Sequence, residues 1–389
     1  MPTPNNINKM TMSLINWLLN SGIQNNCKDG GFNSWYEIEK RSYPFIYPEI
    51  TGYGITSFLY LIKIMKVNRI EIQKRAEIAA KWLLSHAIHK SGGIKVRFGN
   101  NNKTNRSKYL SCDLLYSFDS GVVLCGLTNL YKQTKKQIYL DISKKIARFL
   151  ITLQKNDGSF FPIYDTKKKR IIDTQDKWST QSGSYHAKLV LGLIELFDIT
   201  GDAAYRDSAV KICEYAMRLQ QKNGRFITSK ADKSTHAHPH CYSAEGILYG
   251  GLYLNRNDFI ESATLATKWL LNNQLKNGGI PSLYNHGKFV THERSDVLAQ
   301  TLRLGALLIY FGFLDKSYKS NLSRLFDRLS DFQCRSPDLN QKGGIRYGFE
   351  TNGKAINDIN SWCSMFALQA IMMYQQLQKK RPISMEYFV

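Results

Sequence analysis

Long apolar runs are missing from this chain. Nothing in it approaches the roughly 18 to 20 uninterrupted apolar residues that a membrane helix requires, and its mean hydropathy is −0.34. A membrane span is therefore excluded, and the chain reads as soluble. The first residues also lack the charged start, continuous apolar middle and small-residue cleavage site of a signal peptide: Pro2, Pro4 and several Asn precede a short apolar stretch that Asn16 interrupts. Cytoplasmic residence is the expectation. Cysteine is sparse and scattered, with seven residues (Cys27, Cys112, Cys125, Cys213, Cys241, Cys334, Cys363), an odd number without a CxxC pair. That pattern excludes a disulfide framework and a structural zinc knuckle. Cys125, Cys213 and Cys363 sit in apolar helical contexts, where a small buried thiol is the expected role.

Acidic residues are also in deficit. Thirty-one Asp and Glu stand against 53 Lys and Arg, a net charge of +22. Such a charge favours an acidic partner, whether anionic polysaccharide, nucleic acid or membrane surface. The lysines, however, are spread over the whole chain, and the one tight run, Lys167-Lys168-Lys169-Arg170, has no nucleic-acid motif beside it. It reads as a solvated loop, and a nucleic-acid partner is not expected.

What the chain does have is apolar material, 43% hydrophobic and 12% aromatic, and a repeat. Six signatures recur: Gly30-Gly31-Phe32, Gly92-Gly93-Ile94, Asp157-Gly158-Ser159-Phe160, Asn223-Gly224-Arg225-Phe226, Gly278-Gly279-Ile280 and Gly343-Gly344-Ile345. Successive steps are 62, 65, 66, 55 and 65 residues. Before the glycines run amphipathic segments that close on an aromatic residue, aliphatics and Gln, such as Phe149-Leu150-Ile151 with Gln154 and Trp269-Leu270-Leu271 with Gln274. Glycine ends such helices by adopting the left-handed conformation. After each signature comes a loop of about 14 to 21 residues and then a second helix, apolar or small on nearly every face: 55–67, 121–133, 187–200, 243–254, 297–313 and 365–377. A helix apolar all round belongs inside. Six inner helices, each backed by an outer one, predict an all-α (α/α)6 toroid. The expectation is one domain over 1–389, with fraying at about 1–9 and 379–389.

The segments that open the inner helices are dense in polar, titratable and aromatic residues: 47–54, 112–121, 178–186, 236–246, 292–296 and 358–363. An up-down ring of hairpins brings all inner-helix N-termini to one end, so these segments are expected to converge on one funnel. Their helix dipoles favour an anionic group there. Gly52, Gly54, Gly121, Gly183 and Gly246 would leave room for a ligand. Many of the acidic and hydroxyl residues, among them Asp119 and Asp296, read equally well as N-caps. Glu49, set between Pro48 and Ile50 in an apolar and aromatic stretch, is harder to explain that way.

The densest cluster runs His236-Ala237-His238-Pro239-His240-Cys241-Tyr242-Ser243-Ala244-Glu245. Sugar binding and general acid/base chemistry are its first reading, with zinc at His236, His238 and His240 as the second. In Glu293-Arg294-Ser295-Asp296 the two carboxylates are spaced for one helix face, Arg294 can grip a substrate carboxylate, and Arg303 extends the basic side. A capping box with a surface ion pair is the structural alternative. His186 is a base or a satisfied interior histidine. The catalytic candidates are thus Glu49, Asp119, His240, Glu245, Glu293 and Asp296. Candidates for binding are Tyr53, Trp178, His186, His238, Tyr242, Arg294 and Trp362.

Asp198-Ile199-Thr200-Gly201-Asp202-Ala203-Ala204-Tyr205 and Leu130-Tyr131-Lys132-Gln133-Thr134 are similar to hairpin turns of the six-hairpin glycosidase-like superfamily, which the chain resembles over nearly its whole length. The superfamily includes glycoside hydrolases, unsaturated glucuronyl hydrolases, polysaccharide lyases and sugar epimerases. The resemblance implies a carbohydrate-active enzyme on a glycan or sugar derivative, uronates included; apart from the zinc reading, no cofactor is expected. No complete catalytic motif of one family is matched, so residue roles are read from this chain alone. The Gln154–Phe160 element also resembles the QW motifs of terpenoid cyclases and prenyltransferases, but their Asp-x-Asp-Asp and zinc-ligand patterns are absent. An isoprenoid-handling toroid and a non-catalytic glycan-binding scaffold are the rival readings.

Overall fold

In a computed structural model that describes residues 4–24, 30–65, 68–99 and 113–389, the chain forms six helical hairpins. They are α1 (Pro4–Asn20) with α2 (Pro48–Ile64), α3 (Arg69–Trp82) with α4 (Ser117–Thr134), and α5 (Gln137–Thr152) with α6 (Val190–Thr200). The others are α7 (Ala203–Arg218) with α8 (Ala237–Leu254), α9 (Asn257–Asn272) with α10 (Ser295–Tyr310), and α11 (Lys319–Asp331) with α12 (Ser361–Gln378). Cys27 and Cys112, like residues 1–3 of the stretch expected to fray, lie outside the described residues. The all-α (α/α)6 arrangement read from the repeat is the one observed. Every residue of α2 from Pro48 to Ile62 and of α10 from Ser295 to Ile309 is buried, as an inner helix requires.

The glycine signatures act as joints. Gly30, Gly92, Gly158, Gly224, Gly278 and Gly343 all have φ between +80° and +100°, and at the last five a Cβ would collide with a carbonyl oxygen of the next outer helix: Lys145, Lys211, Leu265, Arg324 and Ser13. The neighbouring Gln completes the joint. Gln154 Nε2 donates to Gly158 O and Ser208 O, both at 3.0 Å. Gln24, Gln220, Gln274 and Gln333 repeat this, reaching Arg75 O, Ser262 O, Asn321 O and Met10 O respectively. Each clamp thus ties one hairpin to the outer helix of the next, and that of Gln333 ties the sixth outer layer back to α1.

The residues pack as two compact units, one of 4–23, 35–42 and 219–385 and the other of 24–34, 43–218 and 386–389, leaving aside those not described. In the first, α8 packs on α9 and α10, α10 on α11 and α12, and α12 on α1. In the second, α2 packs on α3 and α4, and α4 on α5 and α6.

Five of the six inner helices begin earlier than their apolar runs suggest, because the polar segments form their first turns, whereas α6 begins at Val190. Short antiparallel pairings set those starts. Phe45–Ile46 pairs with Phe98–Gly99 before α2, and Leu114–Tyr116 with Ile94–Lys95 before α4. Glu293–Arg294 pairs with Gly348–Phe349 before α10, and Asp358–Asn360 with Trp35–Glu37 before α12. Three of the glycines expected to leave room for a ligand lie against packed neighbours instead. Gly52 lies against the backbone of Val122 and Val123, Gly121 against Leu189, and Gly54 against Phe32.

The tail expected to fray does not. Ile383, Met385, Tyr387, Phe388 and Val389 are all buried. Lys188 Nζ donates to Val389 O at 2.8 Å and lies 4.7 Å from the Phe388 ring centre, while Lys63 pairs with Glu386 at 2.6 Å. Among the described residues no helix is long and apolar enough to cross a membrane.

Candidate functional site

In the unit of 43–218, two carboxylic acids meet at the first turns of neighbouring inner helices. Glu49 is the second residue of α2 and Asp119 the third of α4, and both are buried. Burial raises the Glu49 pKa to about 7, against a partial lowering by a hydrogen bond from the Tyr47 hydroxyl and by the charge of Arg97. Burial, and next the Glu49 charge, push Asp119 well above the ordinary carboxylate range. Two buried like charges in reach of each other do not ionise together, so the pair holds a proton near neutral pH. Asp119 Oδ2 is buried without a hydrogen-bond partner, although buried polar atoms rarely go unmatched.

Around the pair lie aromatic rings. Phe118 and Trp178 stand 5.5 Å and 5.2 Å from Tyr185, whose pKa is raised by burial first and by Asp173 and Asp119 after it. On the other side, the Arg97 guanidinium lies 4.9 Å from the ring centre of Phe45 and 5.0 Å from that of Tyr47. One turn along α2 from Glu49, Tyr53 borders a small cleft, lined also by Thr56, Gly121, Val122, Lys188 and Phe388.

In the unit of 219–385 a polar network centres on Asp296, in the first turn of α10. Arg294 reaches it through Nε at 3.1 Å and Nη2 at 2.5 Å, and Trp362 Nε1 donates to Asp296 Oδ2 at 3.0 Å. Burial raises the carboxyl pKa, but Arg294 and then His238 overcome it and hold it at about 2. His238 Nδ1 lies 3.3 Å from Asp296 Oδ2 and 2.9 Å from Gln300 Oε1. Both are acceptors, so Nδ1 carries the proton and Nε2 the basic lone pair. Burial lowers the His238 pKa to about 4, leaving it neutral at pH 7. Gln300 Nε2 continues to Glu245 at 3.1 Å, and Arg303 Nε reaches the same carboxylate at 2.6 Å. Tyr242 packs its ring 4.3 Å from that of His238.

The structure therefore groups Glu49, Asp119, Tyr53 and Trp178 in one unit, and His238, Tyr242, Glu245, Arg294, Asp296 and Trp362 in the other. Three candidates are held in structural contacts. His240 accepts from Phe226 N at 3.1 Å through Nδ1, donates to Ala266 O at 3.1 Å through Nε2, and is fully buried. Both ring nitrogens are engaged by backbone. Glu293 does not share a face with Asp296. It precedes α10 in a strand pairing and turns to α11, where Arg328 binds it at 2.7 and 3.0 Å and Asn277 at 2.9 Å. His186 Nε2 meets Ser117 Oγ at 3.0 Å and Nδ1 meets Gly183 O at 3.2 Å. His238 and His240, weighed as zinc ligands for their residue type, go to different partners, and among the described residues no three His, Cys, Asp or Glu are placed to share a metal.

Sequence alone does not single out Arg97, whose charge reaches Glu49, or Gln300, which bonds His238 and Glu245. Gln300 follows Asp296 by one helical turn, which is a usable signal. Arg97 lies in Ile94-Lys95-Val96-Arg97-Phe98, beside a strand whose pairing partners, Phe45 and Ile46, are 54 and 52 residues upstream of Gly99 and Phe98.

No protein-family model matches the sequence, and a search of curated proteins finds no match. Solved structures do match. Cellobiose 2-epimerase from Bacillus thermoamylovorans B4167 superposes with a TM-score of 0.78 at 12% identity, over 95% of this chain and 99% of that one. A sugar epimerase from a ruminal bacterium gives 0.77 at 10% identity, over 97% and 100%. An unsaturated glucuronyl hydrolase specific for heparin gives 0.68 at 14% identity, over 96% and 98%. The chain has the (α/α)6 toroid fold of these six-hairpin enzymes.

Proposed function

We propose that this chain is a carbohydrate-active enzyme that cleaves a glycan, with Glu49 and Asp119 as its acid/base pair. The observation that carries this reading is the placement of two buried carboxyls at adjacent helix starts, one with an oxygen left unpartnered. Glycoside hydrolysis requires one carboxyl protonated to assist the leaving oxygen and one ionised to act as base or nucleophile. A pair that keeps one proton near pH 7 has that division. The half-buried ring of Trp178 supplies a flat face for sugar stacking. The glycan-processing neighbours, a glucuronyl hydrolase and a polysaccharide lyase among them, support the substrate class.

A second reading rests on the other unit. A neutral His238, its Nδ1 proton fixed by Asp296 and Gln300, suits removal of a proton beside a carbonyl, the chemistry of epimerisation. The similarity to sugar epimerases supports it. A screen of neutral and uronate-containing oligosaccharides in deuterated water separates the two. Cleavage yields new reducing ends and is lost, by about 10² to 10⁴-fold, in Glu49→Gln and Asp119→Asn. Epimerisation instead places deuterium on the sugar and is lost in His238→Ala. Cleavage unchanged in both carboxyl variants removes the pair from the mechanism.

A further inference from the structure

Two inner helices of the unit of 219–385 share an end as well as a beginning. Asp296 at the start of α10 accepts from Trp362 Nε1 at the start of α12, at 3.0 Å. Midway along, Arg303 Nη1 of α10 donates to Gln369 Oε1 of α12 at 3.2 Å. The helices, of 16 and 18 residues, therefore run side by side in one direction and end together, about 22 to 26 Å from the first contact.

At that end α10 carries three neighbouring rings. Tyr310, Phe311 and Phe313 are 39%, 38% and 40% exposed, with successive ring centres 5.0 and 6.4 Å apart. The backbone that presents them is fixed. Phe311 N donates to Leu307 O at 2.9 Å and Phe313 N to Leu308 O at 2.8 Å, Gly312 takes a φ of +82°, and Leu314 is buried. Comparable turns after α4, α6 and α8 read Lys135-Lys136, Gly201-Asp202 and Asn255-Arg256, so the turn itself needs no aromatic residue. Exposed apolar residues scattered singly are ordinary, whereas adjoining ones mark a contact surface. Basic residues frame this one. Lys316 and Lys319 follow the turn, and exposed Lys379, Lys380 and Arg381 follow α12. Asp315, among them, is engaged by Ser317 N at 2.7 Å.

We propose that the end of α10 and α12 is a docking surface for an anionic lipid bilayer. Phe311 and Phe313 enter the headgroup boundary, and the five bases meet lipid phosphates. Phenyl rings lack hydrogen-bonding groups and gain most from hydrocarbon, which neither a polysaccharide nor a nucleic acid offers. A second copy of the same face would set like charges against each other. Docking here keeps the first turns of α10 and α12 on the side away from the bilayer, whichever residues react.

The test is co-sedimentation of the full chain with vesicles of phosphatidylcholine alone, or with roughly one third phosphatidylglycerol. The expected result is binding to the mixed vesicles at least about tenfold tighter than to the neutral ones, weakening as salt is raised. Phe311→Ser with Phe313→Ser should cut that binding by about tenfold or more. Lys379→Gln, Lys380→Gln and Arg381→Gln together should cut the preference for charged vesicles, and they change exposed side chains alone. No binding to mixed vesicles, equal binding to both kinds, or binding that survives both variants would overturn the proposal. So would a wild type that ignores vesicles but self-associates, or is retained by heparin, through the same rings.

Discussion

At the scale of single residues, what decides a role is whether an ionisable group has partners for all its polar atoms. Glu293 and His240 each have theirs, and each is thereby a structural part. Asp119 does not. The raised pKa of Glu49 carries a consequence for stability. Between its ordinary value of 4.5 and about 7 the folded chain holds a proton that the unfolded chain has released. Stability from this group is therefore full below 4.5 and is lost as pH rises through 7. Asp119 acts in the same direction, whereas His238 and His240, both lowered to about 4, oppose it by disfavouring the fold as pH falls from 6.5 toward 4. The wild type minus Glu49→Gln difference in unfolding free energy isolates the first effect. Measured by urea titration, it should move against the wild type from pH 5 to pH 8, and a flat difference would contradict the buried protonated state.

At the scale of elements, the joint after each outer helix is the unit of construction. Its glycine must be left-handed to turn the chain, and must lack a Cβ because the next outer helix passes within contact of it. Gly158→Ala meets both penalties, a φ of +86° and the Lys211 carbonyl. It should destabilise by about 2 kcal/mol or more, read by chemical denaturation. Gly201→Ala, left-handed at +68° but with open space around it, should cost less. Sequence periodicity located these joints, yet misplaced the inner-helix starts. An apolar run marks where a helix is buried on all sides, whereas its polar first turn is also buried, among polar partners that hydropathy does not register. Strand pairings between distant segments, such as Phe45–Ile46 with Phe98–Gly99, carry no local signal at all.

At the scale of the whole molecule, the repeat sets architecture while single departures from it set chemistry. The last residues show this. Their composition, Lys379-Lys380-Arg381-Pro382 followed by mixed residues, predicts fraying, yet Phe388 and Val389 are buried against Lys188 in the cleft beside Tyr53. An aromatic side chain buried in that way contributes about 3 kcal/mol on truncation. Phe388→Ala should lower stability by that order, and an unchanged urea midpoint would show the tail to be a loose cover.

The sequence by itself determined the (α/α)6 architecture, the left-handed joints and the polar segments that precede the apolar helical runs. These follow from period, glycine and hydrophobicity, which act over a few residues. Only the tertiary structure decided which polar groups remain available. It drew Glu293 to Arg328 and His240 to backbone, joined His238 to Asp296, and set Arg97 between two rings beside Glu49 and Asp119. Those outcomes depend on partners tens of residues away, and a carboxylate's neighbours in space, not in sequence, set its charge.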